Sequence, residues 1–216
     1  MDYSIMILNL AVGMLTSVAI FGLTLLFSMP LGMLVTFGRK SKNGIIRTIT
    51  KIYISIMRGT PLMLQLMVVY FGPYYLLGIK IATTYRFSAV IIGFVLNYAA
   101  YFAEIYRGGI ESMPAGQYEA SKLLGYTKGQ TFFRIILPQV IKRILPSITN
   151  EIITLVKDTS LAMVIAVSEM FTVAKALASN NASMMPYVAA GIFYYIFNFI
   201  VAATMEKAER KLDYYK

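Results

Sequence analysis

Three stretches of the chain carry no charged residue at all: Tyr3 to Gly38 (36 residues), Gly59 to Ile79 (21) and Ala176 to Met205 (30). About 20 consecutive apolar residues cross the hydrocarbon core of a bilayer, so each stretch is long enough to do so. A fourth apolar segment runs from Phe87 to about Ala103 and closes on Glu104 and Arg107. A fifth is needed between Arg143 and Ser168, although Glu151, Lys157 and Asp158 interrupt it. Backbone facing lipid must find its hydrogen bonds internally, which makes helices the form for runs of this kind. The sequence therefore predicts an all-α integral membrane protein. It is one domain over 1–216, with five transmembrane helices near 8–37, 52–77, 87–106, 144–167 and 186–206.

Basic residues orient this bundle. The segment FGRKSKNGIIRTITK holds Arg39, Lys40, Lys42, Arg47 and Lys51 without an acid, and Arg107 to Arg143 holds six more basic residues. After Met205 come Lys207, Arg210, Lys211 and Lys216, whereas Gly78 to Arg86 carries two and Ser168 to Pro186 only Lys175. The positive-inside rule then puts the N-terminus outside and the C-terminus in the cytoplasm, a parity that five spans satisfy. The net charge of +10 is thus mostly topology. Its positive residues flank spans instead of interleaving with exposed aromatics, so no nucleic-acid partner is expected. Met1-Asp2-Tyr3 lacks a basic n-region, and the first span serves as its own insertion signal.

With no Cys and no His, the chain has no thiolate or imidazole metal site, no disulfide and no Cys or His nucleophile. No metal, cofactor or enzymatic activity is expected. The phosphate-loop pattern G-x-x-x-x-G-K-[ST] is absent as well, so energy from ATP would have to come through another chain.

One segment is out of place in a lipid-embedded protein: EASKLLGYTKGQTFFRIILPQ, Glu119 to Gln139, within a polar region over 112–139. Pro114 suits a first helical turn and Gly125 the left-handed position after a last one, so Ala115 to Leu124 reads as a short helix. Thr127 with Gln130 fits a capping box and opens a second helix expected to end at Pro138. A protruding helix seated in a partner's groove fits these features, as does an amphipathic helix lying at the membrane surface.

The spacing E-A-A, three residues, G, nine residues, I, one residue, L-P is met here by Glu119, Ala120, Ser121, Gly125, Ile135, Leu137 and Pro138, with Ser121 the one departure. In this the chain resembles the membrane subunits of binding-protein-dependent ABC importers. The strings RGTPLMLQL (from Arg58), NYAAYFAEIYRGGIESMPAGQYEA (from Asn97) and VKDTSLAMVIAVSE (from Val156) look like the polar amino acid branch, which carries histidine, arginine, glutamine, glutamate or cystine. The resemblance covers about residues 5 to 212. It implies a type I importer permease fold in a bacterial or archaeal cell membrane, with Glu119 to Gly125 as a cytoplasmic coupling helix. It also implies two cytoplasmic ATPase subunits, an external substrate-binding protein and a second permease subunit, either a copy or a homologue.

Substrate contacts are sought among polar groups inside the spans, since ionisable residues there are costly and usually face a cavity. Glu151 and Asp158, seven residues apart, share a helix face about 10 Å long. Asn150, Thr154 and Asp158 run beside it at i, i+4 and i+8. Two carboxylates so spaced suit a cationic amino acid, with Arg58 or Lys157 for its α-carboxylate. The structural alternative is that Lys157 and Asp158 pair with Arg58 or with the facing subunit. Asn97 and Gln65 are further candidates to line the path, and Glu104 is expected to pair with Arg107 at i, i+3. Gly108-Gly109 reads as the exit from the membrane, and Ser168 to Asn181 as an external or re-entrant helix that a binding protein touches. A secondary transporter or channel using Glu104, Glu151 and Asp158 as a proton relay is the alternative function. Such a protein has no use for a capped, Gly-terminated helix over 115–125.

Overall fold

The computed structural model describes residues 2–212; Lys216 of the basic tail lies outside them. Every regular element among the described residues is helical. Helix α1 (Tyr3–Arg39) sets the pattern of the bundle. Its buried positions include Gly13, Ser17, Thr24, Ser28, Gly32 and Thr36, while Leu8, Leu15, Leu26, Leu34 and Phe37 are exposed. This inverts the pattern of a soluble helix. When the solvent is lipid, large apolar side chains gain nothing by being buried, and small residues at a seam let two backbones approach.

Around Gly32 and Thr36 the seam is against α4 (Tyr85–Glu111), while Gly13 and Ser17 meet Met170 and Glu169. A Cβ on Gly32 would stand 2.9 Å from Phe102 Cβ and 3.1 Å from the Ala99 carbonyl oxygen. The Thr36 hydroxyl lies 3.1 Å from the Ala103 carbonyl oxygen, a hydrogen bond between the two helices. Next to this seam α4 buries a ladder of rings at four-residue spacing, Phe94, Tyr98, Phe102 and Tyr106, with centroids 6.2–6.3 Å apart.

The expected single span over 52–77 is instead two helices, α2 (Gly44–Gly59) and α3 (Leu62–Leu77), meeting at 112°. Pro61 has no N–H to continue α2, and its ring drives the preceding residue out of the helical region. Thr60 accordingly sits at φ −125°, ψ 148°.

After α4 comes α5 (Ala115–Leu123), closed as the sequence predicts by Gly125 at φ 79°. The Tyr126 N–H donates to the Ser121 carbonyl and the Gly125 N–H to the Lys122 carbonyl, both at 3.0 Å, which satisfies the orphan carbonyls of the last turn. The Thr127–Gln130 capping box is also present, at the start of α6 (Lys128–Gln130).

The second helix of the insert does not end at Pro138. It continues through a π-helical turn (Thr131–Ile136) into α7 (Leu137–Asp158). In the wider π turn the Leu137 N–H reaches back five residues to the Phe132 carbonyl. That rearranges the ladder where the Pro138 ring would otherwise strike the carbonyl four residues before it.

Gly108-Gly109 is likewise helical, inside α4. A Cβ on Gly109 would meet Ile144 Cγ2 at 2.1 Å and Val140 Cγ1 at 3.2 Å, so this glycine serves the crossing of α4 and α7 instead of a turn.

A 3₁₀ segment (Thr159–Ile165) follows α7 and leads, past Ala166, to α8 (Met170–Asn181) and α9 (Met185–Lys211). Among the described residues, helices α1, α4 and α9 are each long and apolar enough to cross a bilayer, and the count reaches five if each of the bent pairs α2/α3 and Lys128–Ile165/α8 forms one span.

Candidate functional site

Three helices converge where α2 breaks. Arg58, in the last turn of α2, holds its guanidinium 5.3 Å from the centroid of the Tyr101 ring on α4. Tyr98, three residues before Tyr101 and therefore on the same side of α4, donates its hydroxyl to Asp158 Oδ2 at 2.7 Å. Asp158 closes α7, and Glu151 sits two turns earlier, in the fields of both Arg58 and Asp158. Arg58, Glu151 and Asp158 are thus assembled with two tyrosines. Among the described residues no hydrogen bond and no ion pair engages the half-buried Glu151 carboxylate. The pairing of Asp158 with Arg58 that the sequence left open is not formed; a tyrosine takes that place.

The remaining sequence candidates are arranged differently. Asn97 donates its amide to the Met57 carbonyl (3.0 Å) and to Gln65 Oε1 (2.9 Å), while Gln65 donates to the carbonyls of Met57 (3.0 Å) and Thr60 (3.1 Å) and to the Thr60 hydroxyl (2.8 Å). These two amides therefore hold the α2/α3 break, supplying donors to carbonyls that lost their helical partners. Thr154 turns its hydroxyl onto the Asn150 carbonyl at 2.9 Å, and both residues are exposed on α7. Lys157 is exposed too. Glu104 forms the expected ion pair with Arg107, at 2.6 Å, and Arg107 also binds Glu111. That occupies Glu104 and removes it from any relay.

One acid escaped the candidate set. Glu169 is fully buried and caps α8. Its Oε1 accepts from the Thr172 N–H (2.7 Å) and hydroxyl (2.8 Å), and its Oε2 from the Phe171 N–H (2.7 Å), the Tyr194 hydroxyl (3.0 Å) and the Ser17 hydroxyl (3.4 Å). One carboxylate so ties α1, α8 and α9 together. The available signal was an acid immediately before a helical run, although Ser, Thr, Asp and Asn, and not Glu, are the usual N-cap residues.

The insert forms a second site. Gln117 and Gln139 exchange amide hydrogen bonds at 2.7 and 2.8 Å, fastening α5 to the α7 rod. Ser121 is buried, its hydroxyl returned to the Gln117 carbonyl at 2.6 Å, so a small residue is what this position requires. Glu119 and Ala120 face outwards with Leu123 (89% exposed) and Leu124 (75%). A polar helix with an uncovered leucine pair at its tip is a surface made for contact. Of the rest of the motif, Ile135 and Leu137 are half-buried and Pro138 is exposed on the rod behind it.

Fold and polar sites together define a helical membrane-transport subunit. Residues 28–214 match the family described as the inner membrane component of binding-protein-dependent transport systems, and the chain belongs to it. It is 37% identical over 195 residues to the L-cystine transport system permease protein of Bacillus subtilis (strain 168), covering 89% of this chain and 82% of that one. It is 41% identical over 165 residues to the arginine transport system permease protein of the same strain, covering 76% and 74%. The structure of an amino acid ABC transporter crystallised with histidines superposes with a TM-score of 0.86 at 28% identity, covering 94% of each chain. The architecture is the type I ABC importer permease fold.

Proposed function

We propose that this chain is the permease subunit of an ATP-driven importer for polar amino acids, with cationic ones preferred, and that the substrate meets the cluster of Arg58, Glu151 and Asp158. The observation that carries this reading is the Glu151 carboxylate, half-buried on α7 in the fields of Arg58 and Asp158 and without a hydrogen bond or ion pair among the described residues. An unpaired acid inside a membrane protein is costly unless a ligand neutralises it. An amino acid with a cationic side chain offers that cation, and Arg58 offers a partner for its α-carboxylate. The relatives carry names for cystine and arginine transport, which agrees with an amino acid substrate.

In the same reading α5 is the coupling helix. Glu119 to Gly125 docks into a cytoplasmic ATPase, present in two copies, while a second permease subunit completes the path and an external binding protein delivers substrate. The N-terminus is outside and the C-terminus cytoplasmic in this reading, which the basic loops support. The rod from Lys128 to Asp158 joins docking helix to acidic cluster in one element, so a shift at one end is felt at the other. The test is uptake by the reconstituted transporter with Glu151→Gln. Arginine or lysine uptake should fall at least tenfold while ATPase subunits remain bound. Unchanged uptake of cationic amino acids removes Glu151 from the site.

A further inference from the structure

Beyond substrate and ATPase, the structure holds a cavity of about 830 Å³ between the last turns of α1 and α4 and the inner face of α5. We propose that it binds one anionic phospholipid. Phe37 and Ile110 line it, and they belong to the final turns of two helices long enough to cross the bilayer. The cavity therefore opens where the hydrocarbon ends and headgroups begin. Its charged lining is Lys40, Lys122 and Lys128, with no acid among the lining residues. None of the three is ion-paired among the described residues. Three exposed, unpaired ammonium groups around an apolar hollow suit an anion with a greasy body. Lysine suits this, since its stem lies along apolar surface while its head stays polar. Tyr118 and Tyr126 complete the wall, and amphipathic rings of this kind settle at headgroup level.

The ATPase is the competing occupant, and the geometry disfavours it. Tyr118 and Lys122 lie one turn apart on one side of α5 and line the cavity, whereas Glu119, Leu123 and Leu124 lie outside the lining. Docking tip and cavity are thus different faces of one short helix. A lipid in the cavity would brace α5 against the bilayer while its tip remains free for a protein. The inference requires the membrane spans but neither the identity of the substrate nor that of the ATPase.

The intact transporter, purified with its partner subunits and stripped with detergent, is titrated with phosphatidylglycerol or phosphatidylcholine, and retained lipid is read by native mass spectrometry. Phosphatidylglycerol should be retained at least tenfold better. The variant K40Q/K122Q/K128Q should lose about fivefold per lysine, the attraction of one basic residue to an anionic membrane surface. A control, K175Q/K207Q/K211Q, changes lysines outside the cavity and should retain lipid as the parent does. A photoreactive phenylalanine analogue at Tyr126 in the otherwise unchanged protein should label lipid, which keeps the test open if the triple variant does not fold. Equal retention of both lipids, equal retention by the triple variant, or labelling of the ATPase in place of lipid would each overturn the proposal.

Discussion

Replacing Glu169 with Gln tests whether one buried carboxylate holds α1, α8 and α9 together. The native group accepts four bonds of 2.7–3.0 Å and a fifth of 3.4 Å, all from donors. A glutamine presents one oxygen and one NH₂, so whichever way it turns, donors on one side face another donor. If the NH₂ takes the Oε1 side, the Thr172 hydroxyl can rotate but the Thr172 N–H cannot, and it is left buried without an acceptor. An orphaned buried donor costs about 1–3 kcal/mol, and each bond that loses its ionic partner weakens by about 1 kcal/mol. The sum is roughly 3–6 kcal/mol. For a domain of this size 1 kcal/mol moves the melting temperature by about 2–4 °C, so Glu169→Gln should lower it by at least about 6 °C. The assay is thermal unfolding of the detergent-solubilised transporter. Glu169→Asp, one methylene shorter, keeps the charge and should fall between the two. A Glu169→Gln protein melting within about 2 °C of the parent would refute the idea that this carboxylate is a structural tie.

Gly109→Ala should destabilise by about 1–3 kcal/mol or more, because its Cβ would meet Ile144 at 2.1 Å, whereas Gly108→Ala has open space and should not; thermal melts of the pair separate them. Tyr98→Phe removes the donor to Asp158 and should cost about 1–3 kcal/mol in a thermal melt, with cationic amino acid uptake reduced in proteoliposomes; a melt and uptake equal to the parent's would exclude a role for this bond. Gly125→Val forces a β-branched residue to φ 79°, a strain of about 1–2 kcal/mol, and should raise ATP hydrolysed per amino acid imported; an unchanged ratio would exclude a coupling role for the cap.

Most of the bundle was legible in the sequence because lipid permits so few backbone forms. Runs without charge led to α1, α4 and α9, and Gly125 and the Thr127–Gln130 box marked the ends of the insert's helices correctly. What escaped was three-dimensional. Pro61 marks a kink or a helix start, but the 112° turn, with Asn97 and Gln65 supplying donors to the freed carbonyls from another helix and from beyond the break, has no local sign in the sequence. Pro138 signalled a stop and met a π turn, a form with no sequence signature as plain as a proline. Gly108-Gly109 looked like a loop because close packing between helices and turning of the chain call for the same residue. In the acidic cluster, Glu151 and Asp158 were visible as charges within a span. Tyr98 was hidden, since a tyrosine among apolar neighbours gives no sign of the acid 60 residues away that its hydroxyl will meet.

Helix α1 is made first, yet the surface it packs on is made later. Ser17 and Thr36 can turn their hydroxyls to the carbonyls four residues back, but Gly32 and Thr36 wait for Ala99, Phe102 and Ala103, and Ser17 waits for Glu169. At about 5–20 residues per second, the 72 residues between Arg39 and Glu111 take roughly 4–14 s to synthesise. For that interval the nascent membrane holds a helix whose finished lipid-facing side is greasy and whose unfinished side is a groove of glycines and hydroxyls. Helix order along the gene thus makes α1 a template that its later neighbours complete, and a chain halted before α4 would present that groove to whatever insertion factor stands nearby.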